Sequence, residues 1–177
     1  IASMRARDMI KRIMAFSRQT PREMKPVRIG SIIEESLKLL RSSIPTTIEI
    51  HQNISSESDT VRADLTQINQ VLINLCTNAI HAMGEKGGVL EVSLENILLD
   101  AGSAKHYHGL SSGKYVRLTV RDTGHGVEPK VLKRIFDPYF TTKRVGEGSG
   151  MGLSVVHGIV KRHGGGISVS SKPGKGT

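Results

Sequence analysis

The residues best suited to chemistry fall into four groups along the chain. The glycine run Gly146-Glu147-Gly148-Ser149-Gly150-Met151-Gly152 leads straight into the apolar-periodic Leu153-Ser154-Val155-Val156-His157-Gly158-Ile159-Val160. Alternating glycines permit positive φ and remove side chains, so consecutive N–H groups can converge on one anion at a helix start, where the dipole also favours negative charge. That is the outline of a polyphosphate site, and equally the composition of a mobile linker. Asn74, Asn78 and His81 form a second group on successive turns of one helix face. At 100° per residue Asn78 lies roughly 80° from the centre of that helix's apolar stripe, half inside. A carboxamide there offers its oxygen to a hard cation such as Mg²⁺ and its nitrogen to a phosphate oxygen, or else bonds to neighbouring backbone. His81 either reaches the same ligand or stays in water. The third group is Asp122-Thr123-Gly124-His125-Gly126, where a carboxylate ends an inward row of a strand and needs a donor. An exocyclic amine such as that of adenine would serve, with Gly124 and Gly126 letting a planar ligand lie against backbone; an Asx bond within a β-turn is the alternative. Last comes Ile135-Phe136-Asp137-Pro138-Tyr139-Phe140-Thr141-Thr142-Lys143, an aromatic hinge ahead of the glycines. It reads as a lid base, as a core plug, or as both, and Lys143 or Arg144 would meet phosphate at its mouth or remain solvated.

The elements that must position these groups follow from periodicity. Asp64-Leu65-Thr66-Gln67 reads as a capping box opening the longest helix, whose stripe is Leu65, Ile68, Val71, Leu72, Leu75, Ala79, Ile80 and Met83, with Gly84 and Gly87-Gly88 as its stop. Leu90, Val92 and Leu94, then Val116, Leu118 and Val120, alternate with polar residues and predict two antiparallel strands around a polar loop, 100–113. Upstream, Val27-Arg28-Ile29 predicts a short strand, and Ser31-Ile32-Ile33-Glu34 a capping box for a helix to about Leu40. Ile48-Glu49-Ile50 and Thr60-Val61-Arg62 read as further strands. Downstream, Pro129 opens a helix reaching Ile135, the glycines feed a helix from Leu153, and Gly164-Gly165-Gly166 turns it into a strand, Ile167-Ser168-Val169-Ser170-Ser171. Residues 1–18 place Ile1, Met4, Ile10, Ile13, Met14 and Ser17 at helical intervals, an amphipathic helix that pairs with another chain or joins the core, followed by a Pro-bearing polar linker. The expected fold is α+β: a two-layer α/β sandwich, with a mixed, mostly antiparallel sheet and helices on one face, preceded by that helix. The expected divisions are 1–20, a linker 21–26, and a main domain 27–177.

Composition removes several classes. The net charge of +9 sits at the two ends: residues 1–41 carry ten Lys/Arg against four acids, 42–120 five against eight, and 121–177 ten against four. Three of the six aromatics crowd into 136–140, so no base-stacking platform is expected and no nucleic-acid partner. The single cysteine, Cys76, lies in an apolar run and reads as a buried thiol. No Gly-x-x-x-x-Gly-Lys-Ser/Thr occurs, since Gly174-Lys175-Gly176-Thr177 separates Lys from Thr, and the glycine run does not follow the hydrophobic strand that a dinucleotide fingerprint requires. His106-Tyr107-His108 lacks a third metal ligand. No apolar run would cross a bilayer, and the start at Ile1 reads as a piece of a longer protein.

In their order, these motifs resemble the catalytic and ATP-binding domain of sensor histidine kinases, in the superfamily that includes gyrase, the ninety-kilodalton heat-shock chaperones and mismatch-repair ATPases. Asn74-Leu75-Cys76-Thr77-Asn78-Ala79 looks like the N box, Asp122–Gly126 the G1 box, Phe136–Lys143 the F box, Gly148–Leu153 the G2 box, and Gly174–Thr177 the last glycine motif. The resemblance spans 74–177 and, more weakly, 27–73; residues 1–20 resemble the second helix of the dimerisation and histidine-phosphotransfer hairpin. It implies ATP and Mg²⁺, with Asn78 as the metal ligand, Asp122 on the adenine amine, Gly148, Ser149, Gly150, Met151, Gly152 and Leu153 along the phosphates, and Thr177 supporting the adenine pocket. It also implies a response regulator receiver domain as partner, a homodimeric full-length protein, and a cytoplasmic domain, with a membrane anchor elsewhere left open. None of the seven histidines sits in the family's acceptor context, so the acceptor is expected upstream, and the piece alone is expected to be monomeric and inactive as an autokinase. The last strand expected after Thr177 is absent from the sequence. Hydrolysing relatives carry a glutamate one turn before the metal-binding Asn; here Asn74 stands there, making Asn74 and Asn78 the candidate catalytic pair and phosphoryl transfer the expected reaction. An ATP hydrolase, and a nucleotide-binding module without transfer activity, are the alternatives.

Overall fold

The computed structural model describes residues 24–55, 59–104, 109–143 and 149–177. The amphipathic helix expected over 1–20 and Gly148 lie outside the described residues, as do His106, His108 and Arg144. The elements are β1 (Lys25–Arg28), α1 (Ile29–Arg41), β2 (Ile48–Ile54), β3 (Thr60–Ala63), α2 (Leu65–Met83), β4 (Gly88–Leu99), a single turn α3 (Ala101–Ala104), β5 (Gly113–Asp122), a single turn α4 (Pro129–Leu132) and α5 (Gly152–Arg162). β2, β4 and β5 form a sheet in that order, β2 parallel to β4 and β4 antiparallel to β5, while β1 and β3 pair antiparallel in a separate ribbon.

Alternation decides the layers. Leu90, Val92 and Leu94 of β4 are fully buried and meet Ile33 and Leu37 of α1 and Leu72, Cys76, Ala79 and Met83 of α2, with Val116, Leu118 and Val120 packed against them. The other face carries cross-strand pairs of opposite charge, Arg117 with Glu95 at 3.0 Å and Arg121 with Glu91 at 3.9 Å. The helices therefore cover one face, as the patterning predicts. A second, smaller cluster of Val71, Val156 and Ile159 seats α5 on α2, and His163 pins its far end. The His163 Nδ1–H donates to the Ile159 carbonyl at 2.9 Å, which leaves Nε2 to accept the Asp64 N–H at 3.1 Å. Cys76 lies in the main core, and burial pushes its thiol up to about 12, so it is a packing residue.

Several local readings change. Ser31 does not cap α1: the helix starts two residues earlier, with Arg28 at the cap position and no side chain of its own capping it. The cap comes from across the ribbon, where the buried Asp59 accepts the Gly30 N–H at 2.9 Å and the Arg28 Nε–H at 3.2 Å, and its carbonyl accepts the Ile29 N–H. A cap supplied 29 residues away leaves no local sequence signature. The capping box at Asp64 forms in half: Asp64 accepts the Gln67 N–H at 3.1 Å, but its own N–H goes to His163 rather than back to the Gln67 side chain. Leu65, assigned to the apolar stripe, is 55% exposed, because it occupies the first position of α2, beyond the edge of the core. The helix from Pro129 stops at Leu132 and continues as turns, and β1 begins at Lys25, inside the stretch read as linker. Residues 167–171 form no strand: among the described residues no strand lies beside them to take their N–H and C=O groups, and only Lys172 and Gly176 bridge.

The Asp59 cap carries a testable consequence. Burial works to raise its carboxyl, yet the Gly30 N–H and Arg28 hold it below the ordinary value. Its contribution is complete above the ordinary carboxyl pKa and is lost as pH falls through the lowered one. Asp59→Ala is expected to cost about 1–2 kcal/mol in chemical denaturation at pH 7, and less in acid.

Candidate functional site

α2 is the wall on which the site is assembled. Asn74 and Asn78 project, half-buried, toward the first residue of α5: the Asn74 Nδ2 donates to the Gly152 carbonyl at 3.4 Å, and a Cβ placed on Gly152 would lie 3.9 Å from side-chain atoms of both asparagines. No side chain caps α5, whose cap position is Met151; Leu153 follows, half-buried, in the first turn. Ser149 Oγ accepts the Met151 N–H at 3.3 Å, which shapes the approach to the helix, and Gly150 sits at φ +64°. This end of the site is thus a helix N-terminus facing two carboxamides, the arrangement that favours an anion. His81 and Lys143 meet each other: Lys143 Nζ donates to His81 Nδ1 at 2.7 Å, so the base of the aromatic segment is tied to the turn of α2 after Asn78.

The other end is built on β5. Asp122 ends the inward row and is 6% exposed. Its Oδ1 accepts the Gly124 N–H at 2.8 Å, so the Asx turn forms within a site that is also buried. Burial pushes the Asp122 carboxyl above the usual range, against the backbone hydrogen bonds of Gly124 and Thr177 and the charge of His125, which pull it down. The loop after Asp122 lies on the C-terminal turn of α2, where the Ala82 carbonyl accepts the His125 N–H at 3.1 Å; a Cβ on Gly124 would come within 2.6 Å of that carbonyl, so only glycine allows the approach. The chain's last glycine motif then folds over the same loop. The Thr177 carbonyl accepts the Asp122 N–H at 2.9 Å, the His125 carbonyl accepts the Gly174 N–H at 2.8 Å, and Gly126, at φ +68°, packs beneath Lys172. Ser171 joins the pieces: its Oγ accepts the Val127 N–H at 2.8 Å and lies 2.9 Å from both the Gly176 carbonyl and Thr177 Oγ1.

The structure therefore brings Asn74, Asn78, Gly152 and Leu153 together at one end, and Asp122, Gly124, Gly126 and Thr177 at the other, with His81 and Lys143 paired beside them. Sequence reasoning missed Ser171 and Tyr139. Ser171 stood in a stretch read as a strand, and its hydroxyl has a role only once residues 126–127 and 176–177 are neighbours. Tyr139 adopts φ +64°, which no residue type in Asp137-Pro138-Tyr139 foretells.

A family described as histidine kinase-, DNA gyrase B- and HSP90-like ATPase matches residues 63–177. The chain belongs to this ATPase family. Its match begins beside the Asp64 cap of α2 and takes in every site residue named above. Among relatives, the "Sensor kinase CckA" of Brucella abortus is 38% identical over 173 residues, 98% of this chain and 18% of that protein. Among solved structures, full-length ShkA in complex with AMPPNP aligns at a TM-score of 0.69 and 27% identity, covering 89% of this chain and 30% of that one. Histidine kinase ThkA in complex with response regulator protein TrrA aligns at 0.65 and 27%, covering 93% and 42%. The chain thus spans less than half the length of each of these proteins. Among the described residues of this family member, no helix is long and apolar enough to cross a membrane.

Proposed function

We propose that this chain is the ATP-binding catalytic domain of a sensor histidine kinase, which holds ATP with Mg²⁺ and donates the γ-phosphoryl group to a histidine outside these residues. The observation that carries the reading is the meeting of α2 and α5, which sets Asn74 and Asn78 against the N-terminus at Gly152 while Asp122 stays buried at the far end of the same wall. Asp122 accepts from the adenine amine, Gly124 and Gly126 let the base lie against backbone, and Thr177 backs the pocket. Gly148, Ser149, Gly150, Met151, Gly152 and Leu153 line the phosphates, and His81 and Lys143 lie at their mouth. Asn78 supplies one neutral oxygen to the metal. No group of three or more His, Cys, Asp or Glu among the described residues could hold a metal by itself. That donor set suits Mg²⁺, which takes most of its oxygens from phosphate and water. The AMPPNP bound by ShkA supports the nucleotide.

Transfer rather than hydrolysis follows from Asn74, an amide with no basicity to activate water. The described histidines are all engaged locally: His51 with Glu49, His81 with Lys143, His125 beside the Gly126 carbonyl, His157 against the Phe136 ring, and His163 between α2 and α5. An acceptor on the dimerisation and phosphotransfer hairpin, which residues 1–20 resemble, fits better. The phosphoryl group then passes to a response-regulator receiver domain, a partner supported by the ThkA–TrrA complex. The whole protein is a homodimer whose catalytic domain, from β1 at Lys25 to Thr177, lies in the cytoplasm.

Calorimetry with ATP is expected to show binding that depends on Mg²⁺, and a chain blind to nucleotide would sink the proposal. Asn78→Asp keeps a metal ligand but replaces the amide donor with a charge facing phosphate, and should weaken binding about tenfold. With the hairpin restored, label from γ-phosphate should appear on histidine; binding without transfer would leave a nucleotide-binding module instead.

A further inference from the structure

Tyr139 is the one non-glycine residue at positive φ among the described residues, and it is 74% exposed. A left-handed backbone at a bulky residue is unfavourable and persists only where the surroundings hold it. Here they do so from both sides. Phe136 rests on His157 of α5, with ring centroids 5.2 Å apart, and Phe140 lies under the Arg134 guanidinium at 4.5 Å. Arg134 is itself fixed to Asp137 at 3.2 Å. The chain turns between Asp137 and Phe140, where the Asp137 carbonyl accepts the Phe140 N–H at 3.3 Å, and Tyr139 is the third residue of that turn.

The reversal faces the glycine segment. A Cβ placed on Gly150 would lie 2.6 Å from the Tyr139 carbonyl oxygen and 2.8 Å from its Cα, so Gly150 rests directly on the Tyr139 peptide group. The aromatic segment consequently touches both sides of the start of α5, at Gly150 just before it and at His157 within it. We propose that Tyr139 is a positioning residue for the phosphate end of the site: its left-handed backbone forms the bed that aims Gly150 to Leu153, and its ring is dispensable for that purpose. The inference rests on the nucleotide reading above and deepens it. If residue 139 returned to negative φ, the 139–140 peptide would swing away from Gly150, and the N–H groups at the head of α5 would lose their fixed direction.

Side chains that differ in tolerance of positive φ separate backbone from ring. Asparagine and glycine accept the left-handed region, alanine does so less readily, and a β-branched residue resists it. Mg²⁺-dependent ATP affinity is expected to stay within about twofold of wild type in Tyr139→Asn and Tyr139→Gly, and to fall about tenfold or more in Tyr139→Val, with Tyr139→Ala between them; a tenfold change corresponds to 1.4 kcal/mol. Circular dichroism and apo melting would establish that each variant folds. Should Tyr139→Val fail to fold, the order of the other three decides the matter, because Tyr139→Ala must then bind more weakly than Tyr139→Asn. Equal losses in Asn, Gly and Ala would assign the effect to the ring and overturn the proposal, as would wild-type affinity in Tyr139→Val. A wild-type chain that binds no ATP strikes the nucleotide reading itself, so the two failures are distinct.

Discussion

Asp122→Asn is expected to weaken ATP binding by roughly 10- to 150-fold while raising the melting temperature of the nucleotide-free chain. The two effects have one origin. Burial raises the Asp122 carboxyl above its ordinary range, so without nucleotide the ionised form is held at a cost. Asparagine keeps an oxygen for the Gly124 N–H, removes the charge, and relieves that cost. It also turns an amide donor toward the adenine amine, replacing a charged hydrogen bond worth about 1.5–3 kcal/mol with two facing donors. The sign with pH is fixed by the direction of the shift. A carboxyl whose folded pKa is raised opposes folding fully above that pKa, and no longer opposes it below the ordinary value. The gap in melting temperature between wild type and Asp122→Asn should therefore narrow as pH falls through the raised pKa. Calorimetry of binding alongside melting at several pH values tests both halves, and a variant that lost affinity and stability together would show Asp122 to be a structural residue only.

Asn74→Glu should raise ATP hydrolysis by about a hundredfold, the lower end of what a positioned general base contributes. Asn74 lies on the face of α2 turned to Gly152, within reach of its carbonyl, so a carboxylate there would stand beside the proposed phosphate end of the site. The helix N-terminus at α5 favours the negative charge, which argues against the glutamate turning away. Single-turnover release of phosphate from wild type and variant is the direct measurement. Wild type should be slow. Rapid turnover by wild type would favour a gyrase-like or chaperone-like ATPase, and an unchanged variant would mean that water at this end is not activated from Asn74.

Much of the fold was legible because it rests on local regularities. The stripe of α2, the alternation in β4 and β5, and the Asp64 cap each repeat at short range, and burial follows them, with Leu65 the exception at the helix end. The candidate site was legible for a related reason: Asn78 one turn from Asn74, Asp122 closing an inward row, and glycines ahead of a helix are patterns that a single element carries. By itself, then, the sequence determined which residues are the candidates for the chemistry, that Cys76 is buried, and that helices cover one face of a sheet.

What only the tertiary structure decided is where separate segments touch. Asp59 caps α1 from 29 residues away, His163 meets Asp64 across 99, and Gly152 meets Asn74 across 78. Such contacts depend on how elements pack, and no period or local cap encodes them. The same holds for Thr177 and Ser171, which act on the Asp122 loop through backbone and hydroxyl groups that every chain possesses. It holds in part at Tyr139: the turn closed by the Phe140 N–H on the Asp137 carbonyl is local, but the seating of Phe136 on His157 and of the Tyr139 peptide group against Gly150 exists only once α5 is in place.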